Sequence, residues 1–177
     1  MAKIEIGDKA IPFTLPGVDD KEHALSDYQD AEAMAIIFSC NHCPYVRAWE
    51  DRMVQIQADY ADRGVQFLAI NSNDVRRYPE DSFPKMKNRA QEKGFNFPYL
   101  FDESQEVPRS YGARHTPEVF LFDRAGILQY HGAIDDNYDN PNAVKEHYLR
   151  DALDAILAGE TPPAQETTPV GCTIKWK

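Results

Sequence analysis

The strongest constraint on this chain is what surrounds one pair of cysteines. Ala33-Met34-Ala35-Ile36-Ile37-Phe38 is an unbroken apolar run, and a short, β-prone run of this kind predicts a strand buried on both faces. Ser39-Cys40-Asn41-His42-Cys43-Pro44 follows directly. Val46, Trp49, Met53, Ile56 and Tyr60 then recur at alternating spacings of three and four residues. That is the apolar stripe of an amphipathic helix, with Arg47, Glu50, Asp51 and Arg52 assigned to its other faces. Both sulfurs are therefore expected at a strand-to-helix turn, close to the helix N-terminus.

Free amides and the helix dipole favour an anion at such a position. The thiolate is the nucleophile of disulfide exchange, and cysteines so placed have pKa values lowered from about 8.5 to roughly 3.5–7.5. Two intervening residues let one sulfur attack a partner disulfide while the other resolves the mixed disulfide. A protonated His42 would add positive charge beside the thiolate. Packing cysteines or half a zinc site could share the spacing, but the strand–turn–helix setting favours redox chemistry. Pro44 leaves the register open. With Cys40 as N-cap it falls at the fourth helical position and removes a helical bond; with Cys43 as N-cap it falls at the first, where proline is favoured.

A chain of 177 residues, 42% of them hydrophobic, suits a single domain. We expect that domain over residues 1–159, followed by a linker and extended tail over 160–177. The net charge of −10, with no basic cluster, argues against a nucleic-acid partner. Met1 to Ile6 lack the apolar core of a signal peptide, and no apolar run approaches the roughly 20 residues of a membrane span. The expectation is a cytoplasmic protein with no membrane partner, whose three cysteines are catalytic or metal-binding thiols rather than structural staples.

Along the chain, Pro12 and Pro16 mark an extended segment that should form a hairpin over one side of the sheet. Val65 to Ile70 reads as a second buried strand, and the loop Asn71-Ser72-Asn73-Asp74 at its carboxyl end should lie near the cysteines. Pro79-Glu80-Asp81 starts a helix that runs to Gly94. A short strand at Pro98 to Phe101, a short helix at Val107 to Tyr111, a hairpin of Glu118 to Phe122 with Ile127 to His131, and a final helix from Val144 to Leu157 complete the domain. This order implies an α/β fold with a central mixed sheet flanked by helices. Asp135-x-Asn137-x-Asp139-Asn140, with Glu146 after it, imitates calcium-loop spacing, but its setting after a strand makes it a solvated loop.

Cys-x-x-Cys after a buried strand, with His115-Thr116-Pro117 just before another, resembles the thioredoxin fold. Gly7, Pro12-Phe13-Thr14-Leu15 and Leu25-Ser26-Asp27-Tyr28 resemble the redoxin branch related to the AhpC/TSA peroxiredoxins. The resemblance implies a thiol–disulfide oxidoreductase, antioxidant in the wider sense, that needs no cofactor and no metal. It implies catalytic Cys40, Cys43, His42, Thr116 and Pro117, with Cys40 as the attacking sulfur. It further implies a cis bond before Pro117 and substrate binding along His115, Thr116 and Pro117. The partners implied are a disulfide-containing protein or small disulfide, and an electron donor. Met34 stands where thioredoxins usually carry an aspartate, which leaves Glu118 as a stand-in. The peroxidatic pattern Pro-x-x-x-Thr-x-x-Cys matches at neither cysteine; before Cys43 its positions hold Ile36 and Cys40.

The competing reading is a copper- or zinc-binding module resembling Sco-type chaperones, with Cys40, His42, Cys43 and a distant His115 or His131 as soft ligands. The tail carries a third question. Val170, Cys172, Ile174 and Trp176 alternate with Gly171, Thr173 and Lys175, the period of an extended strand with one apolar face. Cys172 is then either a small buried hydrophobe or a resolving thiol returned to the helix start.

Overall fold

A computed structural model describes residues 3–177; Met1 and Ala2, part of the expected non-signal start, lie outside it. A hairpin of β1 (Thr14–Pro16) and β2 (Glu22–Ala24) precedes β3 (Ala33–Ser39), α1 (Pro44–Tyr60) and β4 (Val65–Asn71). Next come α2 (Phe83–Lys93), β5 (Tyr99–Phe101), α3 (Glu106–Tyr111) and β6 (His115–Thr116). The chain continues through β7 (Glu118–Asp123), β8 (Leu128–Gly132), α4 (Tyr148–Leu157) and β9 (Cys172–Thr173). The main sheet has the order β5-β4-β3-β7-β8. β3 runs parallel to β4 and antiparallel to β7, so the sheet is mixed.

β3 is central because it can be buried on both sides, and all seven of its residues are buried. Ala33, Ala35 and Ile37 face Trp49, Met53 and Ile56 of α1 and Leu149 and Leu153 of α4. Met34, Ile36 and Phe38 face Val107 and Tyr111 of α3, Leu15 and Leu25 of the N-terminal segment, and Ile174 of the tail. Each fully buried large side chain contributes about 1.5–3 kcal/mol, so the two layers clamp the strand from which the cysteines emerge. The hairpin borders β5, where Val18 donates to the Tyr99 carbonyl. Two details depart from expectation. Glu50 of α1 is buried and pairs with Arg89 of α2, and the final helix begins at Tyr148, after a single 3-10 turn at Pro141–Ala143.

The segment expected as a linker lies along β8. His131 donates to the Gln165 carbonyl, Thr167 donates to the His131 carbonyl, and the Thr167 hydroxyl accepts from the Ala133 amide. A Cβ on Gly132 would sit 2.0 Å from that hydroxyl, so this close approach needs glycine. The chain then crosses to β9, which pairs antiparallel with β6 in the register His115 with Thr173 and Thr116 with Cys172. Ile174 is buried, Trp176 packs beneath the Arg109 guanidinium at 4.8 Å, and Val170 stays exposed. Among the described residues no helix is long and apolar enough to cross a membrane.

Candidate active site

Cys43 is the N-cap of α1 and Pro44 its first helical residue. Proline is favoured there because its missing N–H is one that the helix would leave unpaired anyway. Cys40 therefore lies one residue beyond β3, in the turn before the helix. Thr116-Pro117 is a cis peptide and faces both sulfurs. The Thr116 hydroxyl is 3.8 Å from Cys40 Sγ, and the Thr116 carbonyl is 3.5 Å from Cys43 Sγ. Both cysteines are buried, and all three cysteines of the chain are free thiols.

The surroundings divide the proton between the two sulfurs unequally. The Cys40 thiol donates to Cys43, and the Cys172 thiol and the amides of Val46 and Cys172 also face Cys43; together they outweigh burial and lower its pKa from 9.0 to about 4. Cys40 moves the other way. Its hydrogen bond to Cys43, its burial and the nearby Asp81 carboxylate all push its thiol up. The two sulfurs therefore share one proton, and a thiolate is stabilised within the pair. The helix register contributes, since Cys43 holds the cap of α1 and faces the Val46 amide.

Asp81 is the residue that sequence reasoning missed. It ends a one-turn 3-10 helix, Pro79–Asp81, and is fully buried. Its Oδ1 accepts from the Asn41 and His42 amides at 2.8 and 3.2 Å, and its Oδ2 accepts from Asn73 Nδ2 at 2.9 Å. His42 Nδ1 lies 2.5 Å from the same Oδ2, and the His42 ring stacks on Tyr78. His42 is thus not a lone cation beside Cys43; it is paired with a carboxylate on the Cys40 side. Cys40, His42 and Asp81 present donor atoms within 4.8 Å of one another, yet the Asp81 oxygens are already held by four donors. The two histidines of the Sco-like set lie elsewhere: His131 Nε2 is 2.5 Å from Glu118, and His115 Nδ1 is 3.8 Å from it. Glu118 also accepts from the Arg114 and His115 amides, so it shapes the loop before Pro117 rather than acting on the dithiol. Burial raises the Glu118 pKa, but His131 and those amides prevail and hold it below the usual value.

The polar loop after β4 does reach the site. Asn73 bonds Asp81 on one side and the Lys175 amide on the other, while Asp74 donates to the Lys175 carbonyl. The calcium-like loop is engaged otherwise, with Asp135 taking both oxygens to Arg52.

A buried dithiol at a helix start, facing a cis-proline loop across a mixed five-stranded sheet, defines a thioredoxin-like redox protein. More narrowly, the sequence profile of the AhpC/TSA family matches residues 6–131, and the chain belongs to that family. It is 27% identical over 126 residues to the thiol-disulfide oxidoreductase ResA of Geobacillus thermodenitrificans, covering 71% of this chain and 68% of that one. A crystal structure of an uncharacterized conserved protein from Geobacillus kaustophilus superposes with a TM-score of 0.93 at 43% identity, covering 98% of this chain and 93% of that chain. A thiol:disulfide interchange protein of the thioredoxin family from Chlorobium tepidum shares the fold, with a TM-score of 0.61 at 23% identity over 72% of this chain and 86% of that chain.

Proposed function

We propose that this protein is a thiol–disulfide oxidoreductase that works through the Cys40–Cys43 dithiol. The observation that carries the reading is the pair of buried sulfurs at the start of α1 facing the cis Thr116-Pro117 bond, with the Thr116 hydroxyl 3.8 Å from Cys40 Sγ and its carbonyl 3.5 Å from Cys43 Sγ. The thiolate of the pair attacks a substrate disulfide and releases one substrate thiolate. The second cysteine passes its proton to that thiolate, attacks the sulfur of the first, releases the second substrate thiolate and leaves a Cys40–Cys43 disulfide. His42, 23% exposed and paired with Asp81 beside Cys40, links the buried pair to the surface. A dithiol donor restores the resting state by the reverse exchange.

The substrates are disulfide-bearing proteins or small disulfides, and the setting is the reducing cytoplasm, where the pair rests as dithiol. Cell fractionation with rapid thiol trapping checks the location and resting state. The function is tested by insulin and small-disulfide reduction with wild type, Cys43→Ser and Cys40→Ser. Each serine variant should lose turnover, and rates equal to wild type in both overturn the reading. Pro117→Ala should raise KM for a protein disulfide while leaving the thiols titratable.

A further inference from the structure

We propose that a basic groove beside the tail binds a small polyanion, with two or more negative charges on carboxylate or phosphate oxygens, and that its binding fastens β9 over the dithiol. The inference goes beyond the oxidoreductase reading and holds whichever sulfur of the pair attacks. The domain contributes Lys3, Arg109, Arg114 and His115 to the groove, and the tail contributes Ile174 and Trp176. Its volume of about 840 Å³ is that of a small-molecule site. The chain as a whole carries a net charge of −10, yet the groove gathers three cations. Among the described residues Lys3, Arg109 and Arg114 form no ion pair. Glu118, the carboxylate next to His115, is already taken by His131 and by the Arg114 and His115 amides. Arg109 is held by Trp176 and by Gln105 Oε1. A guanidinium so fixed presents a planar fork suited to the paired oxygens of a carboxylate or phosphate.

The tail that supplies one wall of this groove also closes the dithiol. β9 pairs with the two residues before Pro117 and sets Cys172 opposite Thr116, and the Cys172 side chain packs with Cys40, Cys43 and Val46. Under that cover Cys40 is 1% exposed and Cys43 0%. The approach is so close that a Cβ on Gly171 would lie 2.1 Å from the Thr116 carbonyl oxygen. Beyond Cys172, Ile174 donates to the Arg114 carbonyl, Lys175 donates to Asn73, and the Lys175 carbonyl accepts from Gln105. A substrate disulfide reaches the sulfurs only when β9 lifts from this edge.

The two observations are linked through the walls of the groove. With β9 seated, an anion meets the cations on one side and the Ile174 and Trp176 wall on the other. With β9 lifted, that second wall is gone and Arg109 loses the indole that holds it. The anion therefore binds the seated form in preference, and a ligand shifts an equilibrium only through such a difference. Binding to one form alone favours it by the factor 1 + [L]/Kd, so at ten times Kd the lifted population falls about 11-fold. No covalent bond changes, and the effect reverses when the anion leaves. The anion thus sets how often the dithiol is open to exchange.

The test uses the full, reduced chain with citrate and pyrophosphate as probes and sodium chloride at matched ionic strength as the control. Calorimetric titration reads binding, and iodoacetamide with mass mapping reads the opening of Cys40 and Cys43. At least one probe should bind once per chain and, at ten times its Kd, slow alkylation of both cysteines about tenfold. Binding of citrate alone assigns the site to carboxylates and of pyrophosphate alone to phosphates; either supports the proposal. Arg114→Gln alters an exposed side chain. It should weaken binding about tenfold, the worth of one charge-assisted hydrogen bond, and with it the protection. Gly171→Ala displaces the strand and should quicken alkylation without anion while weakening the anion's binding. No binding by either probe, equal affinity in Arg114→Gln, or protection that sodium chloride reproduces overturns the site. Binding that leaves the alkylation rate unchanged overturns the fastening of the tail. Neither failure touches the insulin-reduction test of the proposed function.

Discussion

Cys43 and Cys40 share one proton unequally, and the inequality depends on neighbours that single substitutions can remove. Cys40→Ala deletes the largest influence lowering Cys43, so the Cys43 titration, followed by thiolate ultraviolet absorbance, should move up from about 4 toward 9.0. An unchanged titration would assign the shift to the helix cap alone. Asp81→Ala would strand the Asn41 and His42 amides and Asn73 Nδ2, each at about 1–3 kcal/mol when buried. Its urea midpoint should fall well below that of wild type, and the reactive turn should lose its definition. At this scale the cysteines and Pro117 were legible because their chemistry is tied to short spacings. Asp81 was not, because Asn41 and His42 stand about forty residues upstream and only the folded chain brings them to it. For the attacking sulfur the sequence offered two cues: resemblance pointed to Cys40 and the Pro44 capping argument to Cys43, and the helix begins where the capping argument places it.

Elements were read well where burial is uniform and less well where one face is shared. β3 and β4 are mostly apolar and buried nearly throughout, so their sequences read as strands without ambiguity. α1 carries Glu50 in a buried position because Arg89 on α2 meets it there, and a one-helix pattern cannot reveal the second helix. The tail shows the same limit. Its alternation was visible, but Val170 points out to solvent while Ile174 is buried at 3% exposure. Ile174→Ala should cost about 2–5 kcal/mol, the range for emptying a well-packed site. The check is urea unfolding alongside native-state alkylation of Cys172, which should quicken as β9 loosens.

For the whole molecule, the thiols make stability depend on pH in a definite direction. The folded pKa of Cys43 lies below its unfolded value, so its contribution is fully present above about 9 and is lost as pH falls toward 4. Cys172 is raised to about 11, chiefly by burial and by its bond to Cys43, and Cys40 is raised as well. Their contributions are present below about 9 and are lost as pH rises beyond it. Under reducing conditions wild type should gain stability relative to Cys43→Ala as pH is raised from 4 to 9. Relative to a Cys172→Ala variant, it should lose stability above that. Denaturant midpoints across pH test both limbs, and a flat difference in the first comparison would mean that Cys43 is a neutral thiol at rest. The sheet order, the helix layers and the site's location follow from the apolar pattern; the return of the tail does not, because nothing local to residues 160–177 specifies where it lands.

Trp176, held under Arg109 at the end of that tail, makes the protein its own optical gauge. An indole stacked against a guanidinium emits differently from one released into water, and Trp176 lies only four residues beyond Cys172. The other indole, Trp49, is buried in α1 and its Nε1 has no hydrogen-bond partner. Trp49→Phe therefore forfeits no hydrogen bond and leaves a single indole. Seating and unseating of β9 should then be readable in real time as an emission change during oxidation and reduction, with no label attached. The same trace from a Gly171→Ala, Trp49→Phe chain should sit at the released level from the start.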